Sequence, residues 1–153
     1  MSRLALMALF LAGCEEAGPD EPQIFVDANP VILGRRLVDP DATARQFSLQ
    51  FVNRGVEALQ IDDVQIVGDA RCSFAFLGPD VTEVAQDGAM FMRGEYLPTE
   101  VGDDQIAVVV YSNASNFPEL VVPVCGVGVA SLDDPETEIV CEAPPEAQAD
   151  CPF

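Results

Sequence analysis

Arg45-Gln46-Phe47-Ser48-Leu49-Gln50-Phe51-Val52-Asn53-Arg54-Gly55 decides how the rest of the chain is read. Side chains alternate between the two faces of a strand, so Phe47, Leu49 and Phe51 share one face and Ser48 and Gln50 the other. The run stops at Asn53-Arg54-Gly55, a turn signal. Downstream the same period returns. Leu59, Ile61, Val64 and Ile66 are apolar, with an irregularity at Asp62-Asp63. Phe74 and Phe76 alternate, as do Ile106, Val108 and Val110, and then Leu120, Val122 and Val124. Turn residues separate the runs at Gly78-Pro79-Asp80, Asp87-Gly88, Gly102-Asp103-Asp104 and Asn116-Phe117-Pro118. No stretch carries a helical apolar face. The expected fold is an all-β sandwich of about seven strands, with Phe47, Leu49, Phe51, Phe74, Phe76, Ile106, Val108 and Val110 in its core.

The chain has 153 residues, enough for one domain. Its 26 acidic residues face only 7 basic ones, all Arg, for a net charge of −19. Nucleic acid is therefore not an expected partner, because phosphate binding needs clustered Lys and Arg. His, Lys and Trp are absent. A Ser or Cys nucleophile would lack its usual base, and Lys-based covalent chemistry has no residue to use. The acid pairs Asp62-Asp63, Asp103-Asp104 and Asp133-Asp134 do not by themselves converge on a substrate, since neighbours on a strand point to opposite faces. Gly126-Val127-Gly128 follows a strand but leads into no helix, which removes a nucleotide loop. The spaced acidic loop of a calcium site is missing, and Asn113-Ala114-Ser115 reads as a turn. The expectation is a protein that is not an enzyme, with no catalytic residues, no metal and no cofactor.

At the N-terminus Arg3 precedes nine apolar residues, 4–12, far short of the ~20 that span a bilayer. The run ends in Leu11-Ala12-Gly13-Cys14, which resembles the lipobox of bacterial lipoproteins. That resemblance implies a signal peptide over residues 1–13, cleavage before Cys14, and acyl chains such as palmitate on the Cys14 sulfur. It also implies a lipid bilayer as partner and a place in the cell envelope, on the outer membrane where the cell has one. Residues 14–22, rich in Glu, Gly, Pro and Asp, read as a flexible tether.

Five cysteines minus a lipidated Cys14 leave Cys72, Cys125, Cys141 and Cys151. An oxidising envelope favours disulfides, and without His no common Cys/His zinc pattern can form. Counting alternating strands places Cys72 and Cys125 at one end of the sandwich, so the expected pairs are Cys72–Cys125 and Cys141–Cys151. Cys125 faces outward on this register, so a bond from it to a tail cysteine stays open.

Val31-Ile32-Leu33-Gly34, then residues 47–55, then Leu59-Gln60-Ile61 resemble the Hydin-type (ASH) immunoglobulin-like domain, whose bacterial relatives are called choice-of-anchor D. Tyr96-Leu97-Pro98-Thr99 with Gly102, Ser112-Asn113, and residues 122–128 resemble its later segments. The resemblance covers about residues 24–130 and implies an immunoglobulin-like binding or architectural module without shared catalytic residues. Gly94 interrupts a strand and suggests a bulge. The domain is set at residues 23–130. Residues 131–153, with seven acids and four prolines, read as an irregular acidic tail, disordered outside a Cys141–Cys151 loop. Function is read as a membrane-anchored, non-enzymatic envelope lipoprotein whose partner is a protein or envelope polymer. The alternative is a periplasmic assembly or chaperone-like factor, with Arg35-Arg36 as its basic anchor. Pro123 lacks an amide donor, which sets the last strand at an edge, with Glu119 beside any strand that adds there.

Overall fold

The period-2 runs fold as strands in the computed structural model, which describes residues 20–68, 71–133 and 138–144. In chain order they are β1 (Ile24–Val26), β2 (Val31–Leu37), β3 (Arg45–Asn53), β4 (Leu59–Gly68), β5 (Phe74–Leu77), β6 (Glu83–Val84), β7 (Ala89–Tyr96), β8 (Gly102–Ser112) and β9 (Glu119–Val129). No helix forms among the described residues. Two sheets result, one of order β1-β3-β7-β5 and one of order β2-β9-β8-β4-β6. All pairings are antiparallel except β2 with β9. With two sheets packed face to face, the architecture is an immunoglobulin-like β-sandwich. β1 and β6 are three and two residues long, which leaves seven strands of the length that alternation reveals.

The inner faces supply the core. Leu49 and Phe51 of β3, Met90 and Met92 of β7, Ile106, Val108 and Val110 of β8, and Val122 and Val124 of β9 are all almost fully buried. Each such side chain contributes roughly 1.5–3 kcal/mol of burial. Phe74 is buried too, whereas Phe47 and Phe76 are only partly buried and pack against the cluster's edge. The irregularity at Asp62-Asp63 is a bulge: Ile61 pairs with Ser112 and Asp63 with Tyr111, so Asp62 is the extra residue. A single inserted residue flips the face of everything after it. That is why the inward positions of β4 shift from Leu59 and Ile61 to Val64 and Ile66.

Three expectations change. Gly94 makes no bulge; it pairs in register with Phe47 on one side and Phe76 on the other. A Cβ there would lie 2.3 Å from the Phe47 ring, so the position is Gly because an aromatic ring occupies its side-chain space. β9 is not an edge strand, since β2 and β8 flank it. β2 pairs only with Val124–Val129, however, and Pro123 falls just before that stretch, where β9 has β8 as its one strand neighbour. An added strand would therefore find the Val124–Val129 side of β9 already taken.

The disulfide pairing is the third. Cys125 bonds Cys141, with an S–S distance of 2.00 Å and Cα atoms 5.6 Å apart. That replaces both Cys72–Cys125 and Cys141–Cys151. Cys72 precedes β5, which belongs to the other sheet. Packed sheets lie ~10 Å apart, beyond the ~7 Å limit between bridged Cα atoms. Cys72 is itself disulfide-bonded, to a partner outside the described residues, and Cys151 also lies outside them. Cys125 does point away from the core, between the inward Val124 and Gly126, yet it has no solvent exposure. The tail covers it. Residues 138–144 have no regular structure and run over the outer face of the five-stranded sheet, where Gln105 Nε2 donates to the Val140 carbonyl at 3.0 Å. Farther on, Pro144 lies against Gly68 at the end of β4.

Leu49→Ala should lower stability by about 2–5 kcal/mol in denaturant unfolding, as deletion of a fully buried leucine does, and Leu49→Asp should abolish the cooperative melt. Non-reducing peptide mapping should recover a Cys125–Cys141 peptide. Replacing both cysteines by Ser should cost roughly 3 kcal/mol, the chain-entropy value for a loop of this length.

Candidate functional site

Three features stand out as places where chemistry or binding is built. The first is a buried polar cluster at one end of the sandwich. Tyr96, the last residue of β7, stacks on Phe74 with ring centroids 4.9 Å apart. Its hydroxyl donates to Asp104 Oδ2 at 2.9 Å. Arg71 Nη1 lies 3.7 Å from Asp104 Oδ1 and its Nε 4.0 Å from Glu100. Burial, then the charge of Asp104 and the hydrogen bond to it, raise the Tyr96 pKa far above its ordinary value of 10.0. Tyr96 has no solvent exposure and Asp104 has 3%, so a substrate meets neither. The cluster fastens the loop before β5 to the end of β7 and the start of β8.

Of the acid pairs, Asp103-Asp104 separates as alternation requires. Asp103 is exposed while Asp104 is buried, Asp62 and Asp63 are both exposed at the bulge, and Asp133 is exposed with Asp134 outside the described residues. No group of three or more metal-ligating side chains converges among the described residues. Arg35 and Arg36 pair with Val127 and Gly128 in adjacent registers of β9, which sends them to opposite faces. Arg35 donates to the Ser131 carbonyl at 3.3 Å, and Arg36 donates to the carbonyl of Thr43. They do not form a joint basic anchor. Cys14, the expected lipidation site, lies outside the described residues.

The second feature is the clasp of the tail by Cys125–Cys141, which closes part of one sheet's outer face. The third is a groove of about 610 Å³ on the other sheet, lined by residues 46–48 of β3, 75–77 of β5 and 93–95 of β7. These are three neighbouring rows of the ladder centred on Gly94. Phe47 and Phe76 flank Gly94 in the ladder and meet edge to face at 5.5 Å on the inner face of the sheet, beneath the groove and against the core. Gln46 Nε2 donates to Glu95 Oε1 at 3.3 Å, and Leu77 is 69% exposed. Sequence reading placed Phe47 and Phe76 in the core, against whose edge they pack, and missed the groove on the other face. The signal available was the glycine between an Arg and a Glu in an otherwise regular strand.

Tyr96→Phe should destabilise the fold by about 1–3 kcal/mol, because the buried Asp104 carboxylate loses a donor. Tyr96 also sets a pH dependence with a definite sign. With the folded pKa raised, stability is unaffected below about pH 10 and falls as pH climbs above it, since the unfolded chain releases the phenol proton first. Alkaline unfolding followed by circular dichroism should show this dependence weakened in the Tyr96→Phe variant.

No protein-family model matches the chain, and no curated protein does. Solved structures do match. A protein of unknown function from Porphyromonas gingivalis W83 aligns with a TM-score of 0.58 at 15% identity, over 72% of this chain and 48% of that one. The secreted serine protease VesC of Vibrio cholerae gives 0.54 at 13%, over 69% of this chain and 23% of that one. The ASH/PapD-like domain 7 of human CEP192 gives 0.52 at 10%, over 85% of this chain and 99% of that one. The chain thus spans about half of the first and under a quarter of the second, and at these identities the likeness is one of fold: an immunoglobulin-like, PapD-like domain.

Proposed function

We propose that the protein is a non-enzymatic, lipid-anchored envelope lipoprotein that presents an immunoglobulin-like domain to a protein or envelope-polymer partner. The observation that carries this reading is the order of Arg3, the apolar run 4–12 and Leu11-Ala12-Gly13-Cys14, followed after a short tether by a sandwich whose first strand begins at Ile24. The several acyl chains of a lipoprotein cysteine anchor stably, whereas one chain binds reversibly. A binding role is supported by a chain without His or Lys and by a groove built on a rigid sheet. The buried acid–phenol cluster, out of reach of solvent, favours a structural use for Tyr96 and Asp104.

Cys14→Ser should leave an uncleaved precursor that no longer incorporates labelled fatty acid, and normal cleavage and labelling of that variant would refute the anchor. The cysteine count offers an independent check. Cys125 and Cys141 are bonded to each other, so Cys72 has only Cys14 and Cys151 left as mates. Lipid on Cys14 leaves Cys151, and mapping of the mature protein should return Cys72–Cys151. A Cys14–Cys72 peptide would be incompatible with lipidation.

A further inference from the structure

The groove around Gly94 holds the one arginine that, among the described residues, makes no hydrogen bond or ion pair. Arg54 pairs with Asp87, Arg71 with Glu100 and Asp104, and Arg35, Arg36 and Arg45 donate to backbone carbonyls. Arg93 is exposed on β7 with an open guanidinium. In a protein of net charge −19, an unspent cation within reach of acids is unusual. Next to it lies apolar surface: Leu77, its ladder neighbour on β5, is 69% exposed, and Ala75 is exposed on the same face. Glu95 stands two residues along β7 on the same side as Arg93.

From this arrangement we infer that the Gly94 groove binds an extended acidic peptide segment of a partner protein, with a carboxylate on Arg93. Three facts select that class. Guanidinium and carboxylate match as a two-pronged, charge-assisted pair, and no acid among the described residues pairs with Arg93. Arg93 and Glu95 lie about 7 Å apart, two residues of an extended strand. A peptide laid along β7 has the same repeat, and it brings backbone N–H donors for Glu95 beside the carboxylate for Arg93. A fatty acid or other simple amphiphile would satisfy Arg93 but press its alkyl chain against Glu95 and Gln46, whose desolvation opposes binding. A side chain flanking the acidic residue would find Leu77.

This inference rests on the interaction-module reading and is separable from it. The test uses the mature chain labelled with 15N, the tripeptide acetyl-Leu-Glu-Leu-amide as probe, acetyl-Leu-Gln-Leu-amide as its neutral isostere, and octanoate as the amphiphile. The Glu peptide should give saturable shifts at the Gly94 amide and the Arg93 Nε–H, and the Gln peptide should bind about tenfold more weakly. Arg93→Gln, at an exposed position, should leave the melt unchanged and remove the preference for Glu over Gln. Equal binding of the two peptides, tighter binding of octanoate, or no shift in the groove at millimolar peptide would each overturn the inference. Intact fatty-acid labelling of Cys14 in the same preparation would show that the anchored-module reading survives such a failure.

Discussion

The side-chain amide of Asn53 makes four hydrogen bonds with no solvent exposure. Its Nδ2 donates to the carbonyls of Glu57 and Val84 at 2.8 and 3.0 Å, and its Oδ1 accepts from the backbone N–H of Gln23 and Gly55 at 3.2 and 2.9 Å. That is the full capacity of an amide group, two N–H donors and two oxygen lone pairs. The four partners belong to the run-in to β1, the β3–β4 turn and β6, so one side chain joins both sheets at one end. Backbone bonds from Arg54 to Gln23 and from Glu57 to Asp20 lace the same turn to the N-terminal segment. Gly55 completes it, since a Cβ there would collide with the Glu21 carbonyl. A half-satisfied amide in this site would cost more than an apolar residue, so the turn, the first strand and β6 form together or not at all.

The opposite end is held by charge. Arg71, Asp104 and Tyr96 join the loop before β5 to β7 and β8, where Asn53 joins the other end with neutral groups. Both devices are polar and lie at the rims of an apolar slab. Hydrophobic burial drives the sheets together without fixing how they are aligned, and directional bonds at each rim supply that alignment.

Alternation made the strands legible. Leu49, Phe51, Ile106, Val108, Val110, Leu120, Val122 and Val124 lie inward as their period requires, and even the bulge at Asp62 showed as a break in the pattern. What period alone does not carry is which sheet a strand joins. The disulfide pairing failed there: Cys72 was placed by counting strands, but the chain changes sheets between β4 and β5. The edge assignment of β9 failed for a related reason, because β2 joins the five-stranded sheet and covers β9 only from Val124 onward, just past Pro123. The Gly94 groove escaped detection because glycine signals backbone freedom as readily as space taken by a distant ring, and only the register reveals that Phe47 fills it.

The two outer faces differ in a way that bears on function. β8 and β9 are apolar on both faces, and outward residues such as Ala107, Val109 and Cys125 are buried or nearly so. An exposed face of that composition would invite association, and here the disulfide to Cys141 holds a tail segment over part of it. The β1-β3-β7-β5 sheet has no such cover among the described residues; its outward positions Gln46, Ser48, Ala75, Arg93 and Glu95 are exposed. One side of the sandwich is thus occupied by its own chain, and the side left open is polar, shallowly grooved and equipped with an unpaired arginine. With part of one face closed by residues 138–144, the β1-β3-β7-β5 sheet is the broad surface left open among the described residues, and the unspent charge lies on that surface.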